Sequence, residues 1–217
     1  MKERPIIFNG DMIRAILAGE KTQTRRPVNL PVIDKDWLIE LAPCELAGEI
    51  NNGDLTNSKY GIIGDHLWVR ETFAIVPKTA YAHSDGVTQI KSPIDKDSAS
   101  IYKADWCRSD GGIRWKPSIH MPRWACRIIL EITNVRVERL QDIGEYDACA
   151  EGVGQEEHLD TPSELAAYSF HEGFRRLWKS LYGQDSWDAN PWVWVIEFKV
   201  LTTNGVIPNE AAKCAEA

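Results

Sequence analysis

The 217-residue chain contains no uninterrupted apolar run approaching eighteen residues, so no membrane span is expected. Its opening residues, MKERPIIFNGD, carry charges and no long apolar stretch. That argues against a secretory signal and predicts a cytoplasmic protein. Cysteine is sparse: Cys44, Cys107, Cys126, Cys149 and Cys214 are odd in number, widely spaced and form no C-x-x-C pair. Reduced thiols are expected rather than a disulfide framework. His66, His83, His120, His158 and His171 are equally scattered and give no H-x-x-x-H pair, so neither a metal site nor a cofactor is expected. Internal repeats and low-complexity segments are also missing.

What is present is enough apolar material for a packed core, 43% of the chain with nine tryptophans. A net charge of −7 speaks against a general grip on duplex nucleic acid, which requires broad phosphate neutralisation. The charge is uneven, however. Lys2, Arg4, Arg14, Lys21, Arg25 and Arg26 outnumber Glu3, Asp11 and Glu20 in residues 1–26. Arg114, Lys116, Arg123, Arg127, Arg136 and Arg139 outnumber Glu131 and Glu138 in residues 111–139. Acids gather in residues 140–190. Ordinary solvated charge accounts for this pattern as well as a basic face for an anionic or nucleotide ligand does.

Apolar periodicity predicts a helix over 11–20, capped by Asn9 or Asp11 and stopped at Gly19. Lys21–Arg26 then run as a strand ended by Pro27, with Lys21, Gln23 and Arg25 on one face and Thr22, Thr24 and Arg26 on the other. Residues 28–60 read as loop-rich, and 66–76 as one strand. Short strands are expected near Tyr81 and over 99–104. Residues 124–140 form a long β-rich segment that bends or pairs twice. Asp142 and Glu145 start a short helix ending at Gly152, and Thr161, Pro162 and Glu164 start another, which reaches Gly183 with Leu165, Phe170, Phe174, Leu177, Trp178 and Leu181 on its apolar face. Residues 191–200 are a terminal strand. The expected fold is α+β, a small, partly closed, mixed or antiparallel β-barrel with flanking helices. One domain over 1–201 carries insertions at about 28–60 and 77–120, and 202–217 form a flexible tail.

The combination of ILAGEKTQTRRP, GDHLWVRETF, ITNVRVERLQDI and the terminal VWVIEFKV resembles the ASCH family of the PUA-like superfamily. WKPSIHMPRWACRIILEI and FRRLWKSLYG are similar to its larger phage and prophage members. The resemblance spans most of residues 5–200. It implies a PUA-like barrel and a cleft for RNA, a nucleotide or a modified nucleoside. It also implies, by analogy with small bacterial relatives, an amidohydrolase that deacylates N4-acetylcytidine. The residues that would carry such chemistry are Lys21, Thr24 and Arg26 from the K-T-x-T-x-R segment and Glu151 on the short helix.

Amide cleavage needs a nucleophile, a proton acceptor and a group that stabilises the oxyanion. Thr24 with Lys21 as base meets this need if burial or neighbouring cations lower the lysine pKa. Water activated by Glu151 meets it equally. Arg25, Arg26, Arg70 and Arg123 are candidates to hold a carbonyl or phosphate, His120 to hydrogen-bond a ligand, and Trp124 to stack on a base. Among the other aromatic residues, Trp68, Trp115, Trp192, Trp194 and Tyr102 fit core packing better than stacking. Three functions follow: binding of RNA or a modified nucleoside in a basic cleft, hydrolysis of an N-acylated pyrimidine nucleoside, and a phage accessory role in which the acidic segment 140–190 contacts a host protein.

Overall fold

A computed structural model describes residues 1–109, 111–157 and 168–207. In chain order its first elements are β1 (Glu3–Ile7), α1 (Gly10–Ala18), β2 (Gln23–Pro27), β3 (Val32–Ile33), β4 (Glu40–Leu41) and α2 (Pro43–Asn51). There follow β5 (His66–Arg70), β6 (Phe73–Pro77), β7 (Ile90–Lys91), β8 (Ser98–Tyr102) and β9 (Ile129–Arg139). The last are α3 (Glu145–Ala150), β10 (Glu156–Glu157), β11 (Tyr168–Ser169), α4 (Phe170–Tyr182), α5 (Gln184–Asp188) and β12 (Trp192–Thr202). The fold is therefore mixed, with several antiparallel sheets and flanking helices. Among the described residues no helix is long and apolar enough to cross a membrane. Cys44, Cys107, Cys126 and Cys149 are free thiols, while Cys214 lies outside the described residues.

The chain packs as two compact units. The first comprises Met1–Leu17, Gly64–Glu131 and the described residues from Lys199 onward. Helix α1 starts where the Asn9 side chain accepts from the Met12 amide at 2.9 Å and is followed by Gly19 at φ 78°, a left-handed position that a side chain would strain. Strand β1 lies parallel to β5, which pairs antiparallel with the start of β9. A second sheet has the order β6-β8-β7.

Residues 66–76 are thus two strands in two sheets. Between them Glu71 is buried and takes the Arg127 guanidinium on both oxygens, at 2.8 and 2.9 Å, while Asp105 takes the third edge at 2.6 Å. No local pattern announces this break, because the partner that holds Glu71 lies 56 residues away. The segment near Tyr81 is a turn; of the two strands expected in this region, only the one at 98–102 forms, joined by the short β7. Residues 123–125 form a 3-10 turn, so the long strand begins at Ile129. Phe73, Tyr102, Met121, Ala125, Cys126 and Ile129 form the core here, with Trp68 and Trp124 packed against it.

The second unit comprises Ala18–Ile63 and Ile132–Phe198. Its strands follow one another as β9, β12, β2. The β2–β12 pairing is unbroken from Pro27↔Val193 to Gln23↔Glu197. Directly opposed residues share a face, so Gln23, Arg25, Val193, Val195 and Glu197 lie on one side and Thr24, Arg26, Trp194 and Ile196 on the other. Val193 and Val195 pack with Leu140, Ile143, Ala148, Phe174, Trp178 and Trp187, placing α3, α4 and α5 on the Arg25 side. The opposite side is also closed: Trp194 is buried, with the Tyr60 ring edge-on at 6.2 Å.

Residues 28–60 contain more order than their turn-rich composition suggests. Helix α2 begins with Pro43 in its first turn, and the Glu45 carboxylate accepts from the Ala42 amide at 3.0 Å. Leu46, Ala47 and Ile50 then face the interior. Helix α4 is described from Phe170, with the Ser169 hydroxyl accepting from the Glu172 amide at 3.0 Å. The start expected at Thr161, Pro162 and Glu164, along with Leu165, lies outside the described residues.

Gly173 lies within α4, where alanine ordinarily stabilises a helix. A Cβ at this position would sit 2.1 Å from the Gly154 carbonyl oxygen. Gly173→Ala should therefore destabilise the protein by about 1–3 kcal/mol, measured by urea unfolding. A stabilised variant would contradict the close packing of the Gly154 backbone on α4.

Candidate functional site

Helix α3 ends on Ala150; Glu151 caps it and Gly152, at φ 73°, turns the chain away. A helix C-terminus exposes carbonyls that need donors. Here the Thr22 amide donates to the Ala150 carbonyl at 2.9 Å, and Lys21 Nζ donates to the Glu151 carbonyl at 2.8 Å. Because Thr22 also accepts from the Phe198 amide at 2.9 Å, residues 21–22 tie α3 to the sheet. This is why β2 begins at Gln23 and Lys21 makes only a lone bridge with Glu151.

Lys21 Nζ also meets Glu151 Oε2 at 2.7 Å, with side-chain exposures of 0% and 2%. Arg25, equally sequestered, places Nη1 3.3 Å from Glu151 Oε1 and Nη2 at 2.5 Å from Glu138 and 3.0 Å from Asp147. Its guanidinium lies over the Phe174 ring at 5.7 Å. Arg136 extends the network, donating to Asp147 at 2.7 Å, to Glu138 at 3.1 Å and to Glu197. It also reaches Gln23 Oε1 at 3.4 Å. Three cations thus face four carboxylates. The Lys21–Arg26 segment does not present a cationic face here: Lys21 and Arg25 are turned inward and charge-compensated.

Two buried donors in this network have no acceptor among the described residues, Gln23 Nε2 and Arg25 Nε. Of this network, Arg136 also lines a cavity of about 310 Å³, whose other walls include Asn51, Leu55, Ile63, Asn134 and Val135. Burial pushes the Lys21 ammonium below the ordinary lysine range; Glu151 opposes this, and Arg26 and Arg25 reinforce it.

The structure thus brings Lys21, Arg25 and Glu151 together. Thr24 is buried on the opposite face of β2, with the half-buried Arg26. Arg70, His120, Arg123 and Trp124 belong to the first unit. Arg70 lies over the Trp68 ring at 5.4 Å and donates to the Ile119 carbonyl. Arg123 forms a two-pronged pair with Glu3, at 2.8 Å for each bond, while His120 is exposed and Trp124 half-buried. Sequence reasoning missed Arg136, Glu138, Asp147, Glu197 and the role of Gln23. Arg136 and Glu138 alternate with valines along β9, the usual mark of a solvent-facing side. Beyond each other, their partners come from other elements, β2, β12 and α3.

Several acids of 140–190 act internally. Besides Asp147 and Glu151, Glu145 accepts from the Phe170 amide at 2.9 Å, and the buried Glu172 pairs with Arg175 at 3.1 Å. Among the described residues no group of three or more His, Cys, Asp or Glu side chains is placed to hold a metal ion. Comparisons with protein-family models, curated proteins and solved structures each returned no match.

Breaking a buried ion pair by removing one partner costs about 3–5 kcal/mol, because the other charge is left without compensation. Glu151→Ala should lose stability on that scale in urea unfolding; a loss below about 1 kcal/mol would show that the pair is solvated. The pH dependence has a definite sign. With its folded pKa depressed, Lys21 gives up its proton in the native state at a pH where the unfolded chain retains it. Stability from this group therefore rises with pH up to the unfolded value near 10.5. The stability of the wild type relative to Lys21→Met should increase as pH approaches that value. A flat or falling difference would contradict the direction.

Proposed function

We propose that the second unit carries an ASCH-type site for an uncharged, base-like guest, a modified nucleoside, next to the Lys21–Glu151 pair. The observation that carries this reading is the 2.7 Å contact between those two buried side chains, 130 residues apart in sequence. They are the lysine and glutamate that the family resemblance singles out. The reading brings with it the PUA-like barrel of that family as the finer fold class. It favours a free nucleoside over RNA, because the network's three cations are outnumbered by carboxylates and leave little attraction for phosphate. The cavity beside Arg136 falls at the lower end of the range for small-ligand sites, about 300–1,000 Å³.

One observation favours chemistry at this site as a second reading. A lysine with a depressed pKa in direct contact with a carboxylate is suited to moving a proton. In that reading water is the nucleophile: Glu151 accepts its proton, its oxygen adds to the acyl carbon, and the C–N bond breaks as Lys21 or Glu151 protonates the departing amine. Thr24, on the other face of β2, takes no part. The host-protein reading has less support, since much of the acidic segment is engaged within its own unit.

Calorimetric titration with N4-acetylcytidine, cytidine and single-stranded RNA at two salt concentrations tests the proposal. N4-acetylcytidine should bind with little salt dependence and lose affinity in Glu151→Gln. Steeply salt-dependent RNA binding without nucleoside binding would overturn it. For the hydrolytic reading, wild-type protein should release cytidine, and Lys21→Met or Glu151→Gln should slow release by about 10²–10⁴-fold. Unchanged release in both variants would reject the assigned roles.

A further inference from the structure

We infer that Gln23 is a recognition residue of this site, and that the group it reads is a carbonyl oxygen on an uncharged guest. The inference rests on the nucleoside-site reading and adds to it the residue and the chemical group that select the guest. Gln23 is 2% exposed, yet its Nε2 donor has no acceptor among the described residues. A buried amide N–H left unmade is unfavourable and rare, and its presence beside a cavity-lining residue points to a partner supplied from outside the chain.

Rotation of the amide does not remove the problem. Gln23 Oε1 accepts from Arg136 Nη2 at 3.4 Å, so exchanging the two ends would set one donor against another. Arg25 Nε, two residues on and on the same face of β2, is a second buried donor with no acceptor among the described residues. Donors two positions apart on one strand face sit about 7 Å apart at their α-carbons, within reach of one small polar molecule.

The surroundings define the rest of the guest. Glu138, Asp147, Glu151 and Glu197 make the network a source of acceptors, so the molecule that satisfies Gln23 also gains by presenting an N–H. A phosphate or carboxylate would meet those same carboxylates and be repelled. An N-acylated amine, with its carbonyl oxygen and adjacent N–H, matches both halves of the pattern. Arg136, which donates to Gln23 Oε1, also lines the 310 Å³ cavity, so the side chain beside Gln23 reaches open space.

The test uses Gln23→Met, which keeps the length of the side chain and removes the donor, with Gln23→Glu as a second variant. N4-acetylcytidine and its 5′-monophosphate are titrated into each protein, and melting temperatures are recorded without ligand. The inference predicts that the nucleoside binds the wild type more tightly than the monophosphate does. Gln23→Met should weaken nucleoside binding about tenfold and Gln23→Glu at least as much, while the unliganded Gln23→Met protein melts at or above the wild-type temperature, because an unmet donor has been removed. Nucleoside binding that is undiminished in Gln23→Met would overturn this inference and leave the Lys21–Glu151 reading standing. A lower melting temperature with unchanged binding would assign Nε2 to a structural water and also overturn it. No binding of either compound to the wild type would reject the functional reading and this inference together.

Discussion

A lysine ammonium fully removed from water is tolerated only where the protein supplies what water supplied. Lys21 receives this twice from one residue, the carbonyl and the carboxylate of Glu151. That constraint organises the second unit. It fixes where α3 must end, keeps residues 21–22 out of the strand, and aligns Gln23 and Arg25 beneath the helices. The carboxylates that compensate Arg25 come from β9 and α3, so strand and helix are held by charge as well as by the Val193, Val195, Phe174 and Trp178 packing. The first unit uses a separate version of the same device, with Arg127 held between Glu71 and Asp105.

The two faces of β2 consequently have different chemistries. One carries a compensated ionic network with two unmet donors; the other packs Trp194 and Ile196 beside Thr24 and Arg26. A threonine nucleophile activated by Lys21 would require both side chains on one side, but Lys21 meets Glu151 together with Arg25, and the β2–β12 register sets Thr24 on the face opposite Arg25. The compensated charge likewise changes the kind of guest that fits. A cluster with more carboxylates than cations has more to offer an uncharged molecule with both a donor and an acceptor than a phosphate backbone.

Parts of this arrangement were legible in the sequence and parts were not. The Asn9 cap, the stop at Gly19, the terminal strand and the polarity of the faces of 23–26 follow from local rules. The meeting of Lys21 with Glu151 was an expectation from family resemblance, since no spacing rule links residues so far apart. Helix α2 was hidden because its three buried apolar residues sit among turn-forming ones. The break at Glu71 and the partial burial of Arg136 and Glu138 depend on partners distant in the chain, and alternation alone reads those side chains as solvent-facing. Polar residues on a strand carry no local mark of whether a helix will cover them.

The central claim is that the Lys21–Glu151 pair is a buried site that senses a guest. ¹⁵N NMR of the Lys21 side chain, assigned by comparison with Lys21→Met, examines this directly. The account predicts a protected resonance, distinct from those of exposed lysines, that shifts when N4-acetylcytidine is added. A resonance exchanging with solvent as a surface lysine does, and unmoved by the nucleoside, would contradict it.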